Sequence, residues 1–138
     1  IRATGFDPGS DLINGYRRFM AEDFLLIAQV ESVEALEDID AIAGTEGIDM
    51  LFVGPVDLSA SIGSLGVFDS REFTDAMERI VSATLAAGKY LGSIRFADYT
   101  PYRLYQAGFD LVISGADTIL LTQAAQDDLQ QLSAELED

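Results

Sequence analysis

The stretch Gly47-Ile48-Asp49-Met50-Leu51-Phe52-Val53-Gly54 is a turn, a short unbroken apolar run, and a glycine where the chain leaves that run. An apolar run without polar alternation suits a strand covered on both faces, the habit of parallel sheets. The pattern returns as Gly108-Phe109-Asp110-Leu111-Val112-Ile113-Ser114-Gly115, and each copy is followed by an acid, Asp57 or Asp117. Any two strand–helix units share some of this. Two further apolar runs, Phe24 to Val30 and Tyr90 to Phe96, bring the predicted strands to four.

The segments between the runs are helical in period. Ser32 precedes Val33, Leu36, Ile39, Ile42 and Ala43, which predicts one capped helix continuing to Gly44 and Gly47. A polar, glycine-containing loop over 59–68 leads to Asp69 with Glu72 three residues on, a capping-box pattern. Phe73, Met77, Ile80, Val81 and Thr84 then line one helical face until Gly88. Thr100 and Pro101 open a short helix that ends at Gly108, and Leu121, Ala125, Leu129, Leu132 and Leu136 mark an amphipathic terminal helix. Ahead of the first strand, Asp7-Pro8-Gly9-Ser10 reads as a turn and Leu12 to Ala21 as a helix carrying Arg17 and Arg18. Four alternations of strand and helix predict an α/β fold, with parallel strands in sequential order and right-handed crossovers.

Composition limits the chemistry. The chain has 138 residues, 49% of them hydrophobic, which is one domain's length with a sizeable core. Twenty-four acids against 8 bases give a net charge of −16, which repels phosphate backbones and anionic lipids, so neither a nucleic acid nor a membrane is an expected partner. There is no Cys and no His, which excludes disulfides, Cys/His zinc sites, Ser-His-Asp triads and Cys-His nucleophiles built from this chain alone. The longest apolar runs fall far short of the roughly 20 residues of a membrane-spanning helix, and a cytoplasmic setting is expected. The chain opens at Ile1 without an initiator Met, which suggests processing or a longer parent. Residues 1–138 read as a single region with no linker and no second domain.

In a parallel sheet, ligands bind beyond the carboxyl ends of the strands. Gln29-Val30-Glu31-Ser32 stands at the end of the first predicted strand, and alternation points Gln29 and Glu31 the same way. Gly54-Pro55-Val56-Asp57-Leu58-Ser59 stands at the end of the second. If these strands are neighbours, about 5 Å apart, Glu31 and Asp57 bring two carboxylates to one spot. Two close anions call for a cation between them, and oxygen-only ligands favour Mg²⁺ or Mn²⁺. The competing reading makes both acids caps of the helices that follow. Gly54 also lets the backbone approach a ligand, and the N–H groups of Val56 and Asp57 could cradle a carboxylate; a plain loop stiffened by Pro55 fits the same residues. Lys89, the sole lysine, precedes the third strand at the opposite end, so a Schiff-base mechanism has no lysine to use.

The runs Gln29-Val30-Glu31-Ser32, Thr45-Glu46-Gly47-Ile48-Asp49 and Phe52-Val53-Gly54-Pro55-Val56-Asp57-Leu58-Ser59 resemble the HpcH/HpaI aldolase family. The likeness continues through Gly63 and Gly66, Gly88-Lys89, the strand Leu91 to Phe96, Tyr105-Gln106-Ala107-Gly108-Phe109 and Gly115-Ala116-Asp117, in the family's order. It implies a metal-dependent class II aldolase on a TIM (β/α)8 barrel, joining or cleaving pyruvate and an aldehyde. By the same resemblance Glu31 and Asp57 bind Mg²⁺ or Mn²⁺, the N–H groups of Val56 and Asp57 hold the pyruvate carboxylate, and Gln29 lies beside the oxo acid in a catalytic and substrate-binding position. The partners implied are a small 2-oxo acid and an aldehyde, within a homo-oligomer, trimer or hexamer.

A whole barrel needs eight strands and about 250 residues. The four strands here look like the fifth to eighth, making this the C-terminal half of the domain. By the resemblance, the family's oxo-polarising arginine and its histidine base belong to the other half, and Arg95, within the third apolar run, is the basic residue here that could substitute if it points into the barrel. Two other readings use the same residues: a non-catalytic half-barrel serving assembly, and a citrate-lyase-β-type lyase that also pairs Mg²⁺ with two carboxylates.

Overall fold

The apolar runs become a four-stranded, wholly parallel sheet in the order β1-β2-β3-β4, seen in a computed structural model that describes residues 12–137. The strands are β1 (Ile27–Val30), β2 (Met50–Val53), β3 (Tyr90–Ile94) and β4 (Leu111–Ile113). Helices α2 (Val33–Glu37) and α3 (Ile39–Ala43) follow β1, α4 (Pro55–Ser61) and α5 (Arg71–Ala86) follow β2, α6 (Pro101–Gln106) follows β3, and α7 (Asp117–Glu137) follows β4. Helix α1 (Leu12–Arg18) runs into a π-helical turn, Phe19–Asp23, before β1. The expected turn at Asp7-Pro8-Gly9-Ser10 lies outside the described residues.

Strand alternation divides the sheet into unequal faces. Val30, Leu51, Val53, Leu91 and Ser93 are fully buried, packed with Leu58, Phe73, Ile80 and Ile39 from the helices. The opposite face carries the row Gln29, Phe52, Gly92 and Leu111, set side by side by the strand register. There Ile27 is 40% and Ile113 43% exposed. The expectation of strands covered on both faces holds for the face the helices pack on; the other is covered in part, with Met50 at 4% exposure and Gly92 buried but both ends of the row open. Apolar continuity in the sequence records what a side chain is built to meet, and on the second face the described residues meet it only in part. Phe52 closes part of the gap by lying over β3, where a Cβ on Gly92 would come 2.7 Å from its ring.

Several boundaries differ from expectation. The first strand begins at Ile27; Phe24, Leu25 and Leu26 precede it and are 44–45% exposed, with the Leu26 carbonyl still accepting from the Asp49 and Met50 N–H groups. Ser32 caps its helix as predicted, accepting from the Ala35 N–H at 3.2 Å, but the helix breaks at Asp38 into α2 and α3. The cap of α5 is Ser70 instead of Asp69, with the Ser70 hydroxyl accepting from the Phe73 N–H at 3.2 Å. The loop expected over 59–68 is shorter, since its first residues complete α4. Thr100 caps α6 through the Arg103 N–H at 3.3 Å, as predicted. Arg95 lies just past β3, exposed, with its N–H donating to the Ile113 carbonyl at 2.9 Å.

The repeated Gly-x-Asp turns do the same work twice. Gly47 (φ 87°) and Gly108 (φ 94°) take left-handed backbone that favours glycine. Asp49 then accepts the Leu26 N–H at 2.8 Å, and Asp110 accepts the Leu91 N–H at 2.9 Å. Each carboxylate thus fixes the amino-terminal end of its strand's neighbour. Lys89 closes the same end, its Nζ donating to the carbonyls of Ile48 at 2.6 Å and Thr45 at 3.3 Å.

Candidate active site at the carboxyl end of the sheet

The sheet register ends with Val30 beside Val53, so the next residues on the paired strands are Glu31 and Gly54. The Gly54 N–H donates to the Val30 carbonyl at 3.1 Å, carrying the pairing one step further. The closeness has a chemical consequence: a Cβ on Gly54 would lie 2.7 Å from Glu31 Oε2, 2.8 Å from Gln29 Nε2 and 3.1 Å from Glu31 Cβ. The φ of −92° is open to any residue, so what glycine supplies here is room for the ends of the Glu31 and Gln29 side chains, which a Cβ would push aside. The Gln29 amide donates to Glu31 Oε2 across this gap. Gln29 and Glu31 are therefore brought together, as their alternation predicts, and Gly54 gives them room.

Asp57 arrives from the next element. Pro55 occupies the first turn of α4, where its missing N–H costs nothing and its fixed φ suits a helix start. That places Asp57 in the first turn at the same end of the sheet. The first N–H groups of a helix have no intrahelical acceptor, which leaves those of Val56 and Asp57 without a partner inside α4. Val56 is 50% exposed and Asp57 is exposed too. Reading Gly54-Pro55 as loop missed this helix, although Pro at a first helical position was the available signal. Asp117 opens α7 in the corresponding way, at the start of the helix after β4.

Neither carboxylate is neutralised by a base. Among the described residues the ion pairs are Arg18–Glu22, Arg71–Asp75 and Arg79–Asp40, and none reaches Glu31 or Asp57. Glu31 accepts from Gln29, and Asp57 makes no side-chain hydrogen bond or ion pair. Neither acid is the side-chain cap of its helix: Ser32 performs that function for α2, and α4 begins without a side-chain cap bond. Glu34, in the first turn of α2, has its carboxyl held below the usual range by its own backbone N–H and then by the Ser32 hydroxyl. Among the described residues no three His, Cys, Asp or Glu side chains gather as a metal-holding group. Lys89 lies at the other end of the sheet with its ammonium spent on backbone carbonyls, as the sequence implied.

The sequence profile of the family described as HpcH/HpaI aldolase/citrate lyase matches residues 10–124. A hydroxypyruvate/pyruvate aldolase of Chromohalobacter salexigens is 38% identical over 115 residues, covering 83% of this chain and 45% of that protein. A 2-keto-3-deoxy-L-rhamnonate aldolase of Salmonella paratyphi B is 38% identical over 112 residues, covering 81% of this chain and 42% of that protein. The crystal structure of an HpcH/HpaI aldolase/citrate lyase family protein from Burkholderia cenocepacia superimposes with a TM-score of 0.75 at 32% identity, covering 86% of this chain and 47% of that one. The chain spans about half the length of the curated relatives it matches.

Proposed function

The chain belongs to the HpcH/HpaI aldolase/citrate lyase family, its sheet being part of a TIM barrel, and on that premise we propose that it supplies the metal-holding, C-terminal half of a class II pyruvate aldolase. Glu31 and Asp57 hold Mg²⁺ or Mn²⁺. The N–H groups of Val56 and Asp57 hold the carboxylate of a 2-oxo acid, and Gln29 fixes the Glu31 carboxylate by its amide hydrogen bond while lying beside the bound oxo acid. The cation, when bound, supplies the Lewis acidity that stabilises an enolate. The residues of this chain orient: the glycine gap seats Glu31, the start of α4 aims Asp57, and the sheet keeps both at one end.

The observation that carries this reading is that Glu31, seated against Gly54, and Asp57, in the first turn of α4, stand at the same carboxyl end of a parallel sheet, with no ion pair to either among the described residues. Relatives named as aldolases at 38% identity favour aldol chemistry over a citrate-lyase-like reaction. Pyruvate and an aldehyde are the proposed reactants, cytoplasm the proposed setting. Among the described residues no helix is long and apolar enough to cross a membrane.

We also propose a homo-oligomer. Every described side chain of α7 is exposed, including Leu121 at 74%, Leu129 at 63% and Leu136 at 87%, and a helix this apolar calls for cover. The functional test is cleavage of a 4-hydroxy-2-oxo acid by the full-length protein, with pyruvate release followed by a coupled dehydrogenase. Activity that vanishes with a chelator and returns with Mn²⁺ supports the reading. Chelator-resistant cleavage contradicts it.

A further inference from the structure

Two hydroxyls on one turn of α4 tie together the segments that carry Glu31 and Asp57. Ser59 is fully buried. Its Oγ–H donates to the Val56 carbonyl at 2.7 Å, and its Oγ accepts the Gly66 N–H at 3.0 Å. The Val56 carbonyl belongs to the peptide that leads into Asp57, so the hydroxyl fixes the peptide plane from which Asp57 projects. The loop after α4 returns to the same residue, with the Ser64 N–H donating to the Ser59 carbonyl at 2.8 Å. It reaches back through two left-handed glycines, Gly63 (φ 80°) and Gly66 (φ 74°).

Serine hydroxyls often bend back on a carbonyl of the preceding turn, a local bond with little consequence at a surface. Ser59 differs because water is excluded, and both halves of the hydroxyl are used, one of them by a residue seven positions on. A buried hydroxyl with donor and acceptor both committed has a single orientation.

Ser61 secures the other segment. Its Oγ accepts the Val33 N–H at 2.9 Å, one of the N–H groups that the first turn of α2 leaves unpaired. Val33 stands two residues after Glu31, so this bond anchors the β1–α2 turn to α4. With the Gly54-to-Val30 backbone bond on the sheet side, the Glu31 segment is held from both directions.

We propose that Ser59 and Ser61 are positioning residues that set the spacing of Glu31 and Asp57, an inference that rests on the reading of that pair as cation ligands. A site with two protein ligands takes its remaining shell from water and substrate. Its affinity therefore depends on how well those two are pre-set, and supporting hydrogen bonds of this kind are worth about 10- to 100-fold in metal affinity.

The test is calorimetric titration of Mn²⁺ alone into the full-length protein at a temperature well below unfolding. Ser59→Ala should weaken Mn²⁺ binding about tenfold. Ser61→Ala should weaken it less, about threefold, because water can reach the exposed Val33 N–H side and replace the lost acceptor. Ser61→Thr, which keeps the oxygen, should bind as the parent does. Serines that only held the fold together would lower the melting temperature and leave the Mn²⁺ Kd unchanged. Parent-like Kd in both alanine variants would overturn the proposal, and should Ser59→Ala fail to fold, the Ser61 pair decides it alone. If instead the parent binds no Mn²⁺, or Glu31→Gln binds it equally well, the ligand assignment itself falls. That outcome is distinct from a failure of the serines.

Discussion

Glu31 Oε2 lies 2.7 Å from the point where a Cβ on Gly54 would stand, so the carboxylate in this position would have to shift for any side chain there. Gly54→Ala should displace Glu31 and Gln29 together and lower Mn²⁺ affinity of the full-length protein by at least about tenfold. Gly92→Ala supplies the contrast. Its Cβ would meet the Phe52 ring at 2.7 Å and Met50 Sδ at 2.9 Å, away from the carboxylates. That variant should lose about 1–3 kcal/mol of stability by overpacking while keeping its Mn²⁺ affinity. Equal Mn²⁺ binding by Gly54→Ala and the parent, in titration calorimetry, would show that the gap does not seat a ligand.

The second prediction concerns the opposite end of the sheet. Asp110 accepts the Leu91 N–H as Asp49 accepts the Leu26 N–H. Charge-assisted bonds to backbone N–H groups are worth about 1.5–3 kcal/mol. Asp110→Ala should cost close to that range in urea unfolding, with Mn²⁺ affinity unchanged because the residue stands at the amino end of the strands. A loss below about 0.5 kcal/mol would mean that water replaces the carboxylate at no penalty.

These residues also show which parts were legible in the sequence. Caps such as Ser32 and Thr100 depend on a few neighbouring positions, and they were found. At Asp69-Ser70 two capping residues stand side by side, and only the extended backbone of Ser70 (φ −64°, ψ 150°) decides between them. The repeat of Gly47-Ile48-Asp49 in Gly108-Phe109-Asp110 was visible. The role of its acids was not, because each binds an N–H about twenty residues away. The candidate site was legible as residue types at strand ends, and there Glu31, Gln29 and Asp57 stand. The Ser59 and Ser61 bonds cross between segments, and a one-dimensional pattern carries no trace of them. The partly open face of the sheet escaped for the same reason: hydrophobic runs say that both sides are to be covered, not which elements cover them.

The third prediction follows from α7. If its exposed Leu121, Leu129, Leu132 and Leu136 pack on another copy, deleting residues 129–138 should reduce the oligomer measured by light scattering. An unchanged mass would assign the stripe to the protein's own barrel.

The central claim is that Glu31 and Asp57 serve metal-assisted enolisation of a 2-oxo acid, and it can be tested without knowing the aldehyde. Enolate formation precedes carbon–carbon bond formation, so the full-length protein in D₂O should exchange the methyl protons of pyruvate with no acceptor present. Proton NMR should show the methyl signal decaying when Mg²⁺ or Mn²⁺ is supplied, and persisting with chelator or in Glu31→Gln. Exchange that proceeds at the same rate without a divalent cation, or in Glu31→Gln at saturating Mn²⁺, would contradict the account.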